Sequence, residues 1–139
     1  MALEQVNFNT INTRQEKVLV VDDNEINRIL LEKMLSKCSF QLDFCENGKE
    51  ALDKVLNKDF DVVLMDIHMP VMNGLEAVQA IRKLEDPYFK ELPIIALTAS
   101  VLSNDIEEIY KTGFNEYQSK PFKIEELIDK ISKFIPVKQ

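Results

Sequence analysis

At 139 residues, with 45% hydrophobic and 29% charged residues, the chain fits one domain with a real core and is too apolar to be largely disordered. Its net charge of −7 argues against direct binding to nucleic acid or an anionic membrane, because phosphate contacts need clustered Lys and Arg. No apolar run approaches the roughly 20 residues of a membrane span, and the first residues lack the charged-then-apolar pattern of a signal peptide. Cys38 and Cys45 have neither a pairing partner nor metal-ligand spacing, so buried free thiols of a reducing, cytoplasmic compartment are expected.

Residues 1–16 are polar and aperiodic (Asn7, Asn9, Thr10, Asn12, Thr13) and read as a linker or disordered N-terminal segment, with a short docking segment as the alternative. From Lys17 the pattern tightens. Val18 to Val21 form a continuous apolar run ending in Asp22 and Asp23, as in a strand buried on both faces. Asn24 then caps a helix whose apolar positions are expected to be Ile26, Ile29, Leu30 and Met34. Phe40 to Cys45 alternates as a second strand, and after Asn47-Gly48 a second helix carries Ala51, Leu52, Val55 and Leu56.

The run Val62 to Met65 predicts a third buried strand that ends at Asp66, with Pro70 stopping regular pairing. Gly74 follows its loop, and Leu75, Val78, Ile81 and Leu84 mark a third helix that Asp86-Pro87 breaks. Pro93 to Leu97 predicts a fourth strand ending at Thr98. Val101, Leu102, Ile106 and Ile109 predict a fourth helix, stopped near Gly113. Glu116 to Ser119 is a weaker fifth strand, its polar Gln118 and Ser119 suiting an edge, and the last helix uses Leu127, Ile128, Ile131 and Phe134. Five alternations of strand and helix predict a doubly wound α/β domain over 17–135, with a parallel sheet and a tail at 136–139.

The C-terminal ends of parallel strands share one edge, so Asp22, Asp23, Asp66, Thr98 and Lys120 should gather there despite their separation in sequence. Each has a plain structural role on its own: acids favour a helix start, Thr98 can cap a helix, and Lys120 can be a solvated charge. Together they describe a different chemistry. Carboxylates this close repel unless a cation joins them, and Mg²⁺ suits a site of few carboxylates. Lys120 and the Thr98 hydroxyl can bind the oxygens of a transferring phosphoryl group while an Asp serves as nucleophile.

With these pieces in place the chain resembles a response-regulator receiver domain of two-component phosphorelay signalling, over about residues 17 to 135. The likeness rests on Val-Leu-Val-Val-Asp-Asp, Leu-Met-Asp-Ile-His-Met-Pro-Val-Met-Asn-Gly, Ala-Leu-Thr-Ala and Lys-Pro-Phe in that order. It implies a flavodoxin-like (βα)5 fold with strand order 2-1-3-4-5, and Asp66 as phosphoacceptor. It also implies Mg²⁺ (or Mn²⁺) held by Asp22, Asp23, Asp66 and the backbone carbonyl of His68. Thr98 and Lys120 would bind the phosphoryl group, Ala99 would keep the approach open, and Tyr117 would be an aromatic switch. The Lys120-Pro121 bond would be cis. His68 and Ser100 are candidates for tuning the rate of hydrolysis, His68 standing at the pocket mouth. Met65, Met69 and Met72 read as packing residues.

The implied donor is a histidine kinase or a histidine phosphotransfer protein, and the implied output is a change in the surface made by the fourth helix, fifth strand and last helix, which could also support a dimer. The run Asp22 to Arg28 resembles receivers of hybrid histidine kinases, so a membrane-bound parent kinase is compatible with the expected cytoplasmic location. The expected activity is slow self-catalysed phosphotransfer and dephosphorylation. The departures are a long connection at Asp86 to Lys90 and the polar Gln118. Two rival readings remain: an interaction module that signals without phosphorylation, and a haloacid-dehalogenase-type phosphatase, which requires an Asp where this chain has His68.

Overall fold

The apolar runs of the sequence become the centre of the sheet. The computed structural model describes residues 15–137. Five strands, β1 (Glu16–Val21), β2 (Phe40–Cys45), β3 (Val62–Asp66), β4 (Ile94–Thr98) and β5 (Glu116–Ser119), pair in parallel in the order β2-β1-β3-β4-β5. They alternate with α1 (Glu25–Leu35), α2 (Gly48–Asn57), α3 (Gly74–Arg82), α4 (Ser103–Thr112) and α5 (Ile124–Ser132).

Every residue of β3 and β4 is buried, as expected of strands covered on both faces. Successive side chains point to opposite sides, so Val63 and Met65 join one core with Ala51, Val55, Ala77, Val78, Ile81 and Ile109 of α2, α3 and α4. Val62 and Leu64 join a second core with Leu31, Leu35, Leu127 and Ile131 of α1 and α5. Burial of a side chain such as Leu31 is worth about 1.5–3 kcal/mol. Cys38 and Cys45 are buried and free, and burial pushes the Cys45 thiol up to about 12. Among the described residues, no helix is long and apolar enough to cross a membrane.

Five details depart from the sequence reading. First, α1 turns Leu31 and Leu35 inward, while Ile26, Ile29 and Leu30 are 75%, 44% and 39% exposed. The helix carries two apolar stripes, and the second one meets the sheet. Second, Val101 and Leu102 precede α4 rather than forming its inner face, and both are exposed. Third, Asp86 to Lys90 is no plain connection but most of a short helix, Pro87–Glu91, which Asp86 caps through the Tyr88 amide at 2.9 Å. Arg82 clasps it, donating to the carbonyls of Phe89 (2.9 Å) and Leu92 (2.8 Å). Fourth, β5 is the edge strand that the sequence predicts, but Gln118 on it is fully buried, its amide nitrogen donating to Glu126 at 3.1 Å. Fifth, β1 starts at Glu16, inside the segment expected to precede the domain; residues 1–14 of that segment lie outside the described residues.

Candidate functional site

Register brings the polar strand ends together. Val21 pairs with Met65, Asp66 with Leu97 and Thr98 with Ser119. The ladder runs on past the strands: the Asp22 amide donates to Cys45 at 3.1 Å, Ile67 to Leu97 at 3.2 Å and Lys120 to Thr98 at 2.8 Å. Asp22 and Asp66 are buried, and Asp23 is exposed.

The loop after β3 is held by close backbone approaches. The Gly74 amide donates to the Ile67 carbonyl and the Gly48 amide to the Met72 carbonyl, each at 2.8 Å. A Cβ at Gly74 would collide with the Asp66 carbonyl oxygen, and one at Gly48 would lie 2.7 Å from the Met72 carbonyl oxygen. Between these anchors Val71 takes φ 69°, a left-handed conformation that a β-branched residue adopts only under constraint. His68 thus sits on a loop whose path is set from α2 and α3.

One carboxylate oxygen from each of Asp22, Asp23 and Asp66 lies within 4.8 Å of the others. The Lys120 ammonium stands 3.2 Å from Asp66 Oδ1 and 3.7 Å from Asp22 Oδ2. Burial pushes the Asp66 carboxyl up, Lys120 pulls it back, and the Asp22 charge raises it again. The His68 amide also donates to Asp66 and lowers it, but the net direction is above the ordinary carboxylate value. One ammonium therefore does not balance this cluster. A donor set made only of carboxylate oxygens, with one member open to solvent, suits a hard divalent cation.

Asp22 is fixed from α1. The Asn24 amide donates to its Oδ1 at 2.9 Å, Asn27 Nδ2 approaches Oδ2 at 3.3 Å, and Arg28 reaches its backbone carbonyl at 2.6 Å. Asn27 and Arg28 lay in plain view in the sequence, but their role needs the first turn of α1 to be folded back over the strand end.

The β4–β5 side is arranged differently. Thr98 is buried, and its Oγ1 accepts from the Ser100 amide at 3.1 Å and lies 3.4 Å from the Ser100 carbonyl it can donate to. Ala99 is exposed and Ser100 half-buried. Tyr117 is half-buried on the α4–β5–α5 face, edge-on to Tyr110 with ring centroids 6.3 Å apart and with Lys130 Nζ 5.0 Å from its ring. The Lys120-Pro121 bond is cis. His68 is exposed and, with Thr98, Ser100, Asp105, Glu108 and Ile109, lines a cavity of about 130 Å³ beside the acidic cluster.

A doubly wound sheet with three clustered carboxylates and a lysine at its C-terminal edge defines an α/β domain with an acidic site at its strand ends. The family of response regulator receiver domains matches residues 18–132, and the chain belongs to that family. It is 38% identical over 131 residues to hybrid signal transduction histidine kinase G of Dictyostelium discoideum, a match that takes in 91% of this chain. The chain spans only 4% of that protein's length. Among solved structures it is similar to the receiver domain of sensor histidine kinase PA1611 from Pseudomonas aeruginosa, determined with magnesium coordinated in the active-site cleft. The identity is 33% and the TM-score 0.80, covering 87% of this chain and 98% of that one. It is also similar to a co-crystal structure of the Saccharomyces cerevisiae phosphotransfer protein Ypd1 with the receiver domain of Ssk1, at 30% identity and a TM-score of 0.77, covering 86% of this chain and 88% of that one.

Proposed function

We propose that Asp66 accepts a phosphoryl group from a phosphohistidine donor, either a histidine kinase or a histidine phosphotransfer protein. The observation that carries this reading is the Asp66 carboxylate itself: buried at a strand end, 3.2 Å from Lys120, and one of three clustered acids. In the transfer an Asp66 oxygen forms a bond to phosphorus as the phosphorus–nitrogen bond breaks, and the released imidazole nitrogen takes up a proton. Lys120 neutralises developing charge on the phosphoryl oxygens, and Thr98, once turned from Ser100, donates its hydroxyl to one of them. Asp22, Asp23, Asp66 and the His68 carbonyl would hold Mg²⁺ or Mn²⁺, which when bound supplies further charge neutralisation at those oxygens.

The covalent phosphoryl group then shifts a population. Contacts to Thr98 and Lys120 favour a state with Tyr117 turned inward and the α4–β5–α5 face remodelled, with a dimer through that face as one output. His68 and Ser100, at the rim, set how readily water reaches the aspartyl phosphate. The chain acts as an acceptor rather than a turnover catalyst, within a hybrid histidine kinase or as a separate regulator.

The exposed stripe of α1 supports the donor's approach. Ile26, Ile29 and Leu30 follow directly on Asp22 and Asp23, so a protein that brings an imidazole to Asp66 meets this apolar face first. Transfer of radiolabel from a phosphohistidine protein should be strong in the native chain and absent in Asp66→Asn; label retained by that variant would overturn the assignment. Ile26→Glu should slow transfer from the protein donor about tenfold and leave transfer from acetyl phosphate unchanged.

A further inference from the structure

We propose that Asp105 is a positioning residue of the acceptor site, acting through Ser100 to hold the Thr98 hydroxyl in its resting orientation. This rests on the reading of Asp66 as phosphoacceptor and extends it to a residue no motif marks. Asp105 lies in the first turn of α4, and its carboxylate accepts a hydrogen bond from Ser100 Oγ. The Leu102 amide approaches the same Oγ at 3.4 Å. Helix α4 has no side-chain cap of its own, since Leu102 occupies the capping position. Ser100 and Asp105 together tie the start of the helix to the end of β4 in its place.

The consequence falls on Thr98. Its hydroxyl has one proton, and its polar contacts in the structure are both with Ser100, at 3.1 Å to the amide and 3.4 Å to the carbonyl. To donate to a phosphoryl oxygen on Asp66, the hydroxyl must swing away from the Ser100 carbonyl. Ser100 cannot follow while Asp105 holds it, because a hydrogen bond to a carboxylate is stronger than one between neutral groups. The loop from Thr98 to Leu102 is therefore held at both ends, and the cavity of about 130 Å³ bounded by Thr98, Ser100, Asp105, His68 and Glu108 lies where it would move. Breaking the Ser100–Asp105 bond removes a constraint that the resting state enjoys and the phosphorylated state gives up, so it shifts the equilibrium toward the latter.

The test is titration of the full chain with beryllofluoride and Mg²⁺, followed by amide NMR. Asp105→Ala should bind the mimic about 3- to 10-fold more tightly. Without the mimic, its Ser100 and Tyr117 resonances should already lie part-way toward their bound positions. Ser100→Ala should do the same, Ser100→Thr should restore native behaviour by keeping the hydroxyl, and the double variant should add nothing to either single change. In a Thr98→Ala background the effect of Asp105→Ala should vanish. Unchanged affinity in Asp105→Ala with only a lowered Tm would reduce Asp105 to a support of α4 and overturn the proposal. The same holds for an effect that survives in Thr98→Ala. If the native chain itself shows no Asp66-dependent response to beryllofluoride, the acceptor reading fails and takes this inference with it.

Discussion

On the β1–β3 side of the site, Asp22 and Asp66 are buried with one ammonium between them, and Asp66 is held above its ordinary carboxyl value. On the β4–β5 side, Thr98, Ser100, Glu116 and Tyr117 each have close partners of their own: Thr98 is bonded to Ser100, Ser100 to Asp105, Glu116 to Lys133 and Tyr117 to the Glu116 carboxylate. The first side is electrostatically unfinished, the arrangement that the proposed binding of a cation and a phosphoryl group would relieve. The second side is finished and must give up contacts to respond. Under the proposed function, a favourable event on one flank would be coupled to an unfavourable rearrangement on the other, which is what a two-state switch with a populated resting state requires.

The largest test of this contrast removes a group that spans both sides. Lys120 follows β5 but reaches the acids of β1 and β3. Lys120→Ala should lower phosphoryl transfer from a phosphohistidine donor by about 100-fold or more, the usual cost of deleting a donor that faces developing negative charge. The change also removes the strongest influence holding the Asp66 carboxyl down, so it should rise further. Stopped-flow transfer at saturating donor gives the rate, and a loss under threefold would show that Lys120 is not part of the acceptor machinery.

How much of this was legible beforehand divides along the same line. The buried strands were plain because Val18–Val21, Val62–Met65 and Pro93–Leu97 are unbroken apolar runs, and a parallel sheet then forces Asp22, Asp66, Thr98 and Lys120 onto one edge. The direction of α1 was not plain. Its apolar residues form two stripes, and periodicity cannot say whether Leu30 or Leu31 faces the sheet; they are 39% and 0% exposed. The polarity of Gln118 points correctly to an edge strand, but it does not show that the side chain is buried there with Glu126 from α5 satisfying its amide nitrogen. The Ser100–Asp105 bond was invisible for another reason: it joins a loop to a helix start by a five-residue reach that no capping pattern describes.

An intermediate effect is expected from the cation. Mg²⁺ at ten times its Kd should stabilise the native chain by about 1.4 kcal/mol, because it binds the folded cluster and not the unfolded chain. Asp23→Ala should abolish most of that gain, since it removes the solvent-facing member of the cluster, while Glu116→Gln on the other flank should keep all of it. Thermal unfolding at graded Mg²⁺ concentrations measures both. Equal gains in the native and Asp23→Ala proteins would remove Asp23 from the cation site.

The smallest effect should come from the finished side, at Glu116. Its carboxylate accepts from the Tyr110 hydroxyl at 2.9 Å and the Tyr117 amide at 3.0 Å, and it pairs with Lys133 at 2.6 Å. Burial alone would push this carboxyl up, but Lys133, the Tyr117 amide and the Tyr110 hydroxyl together outweigh it and hold it below its usual value. A carboxyl depressed on folding adds stability that is present above its unfolded pKa and lost as pH falls through its folded pKa. Glu116→Gln should therefore cost about 1 kcal/mol at neutral pH. The gap between native and variant should close below the ordinary carboxylate range, and urea unfolding at pH 7 and in acid would measure it. The hydroxyl of Tyr110 is pushed up to about 12 by burial and then by its bond to Glu116, so its phenolate absorbance should titrate lower in the variant. A gap that widens in acid, or a Tyr110 titration that does not move, would show that Glu116 is not the group joining α4, β5 and α5.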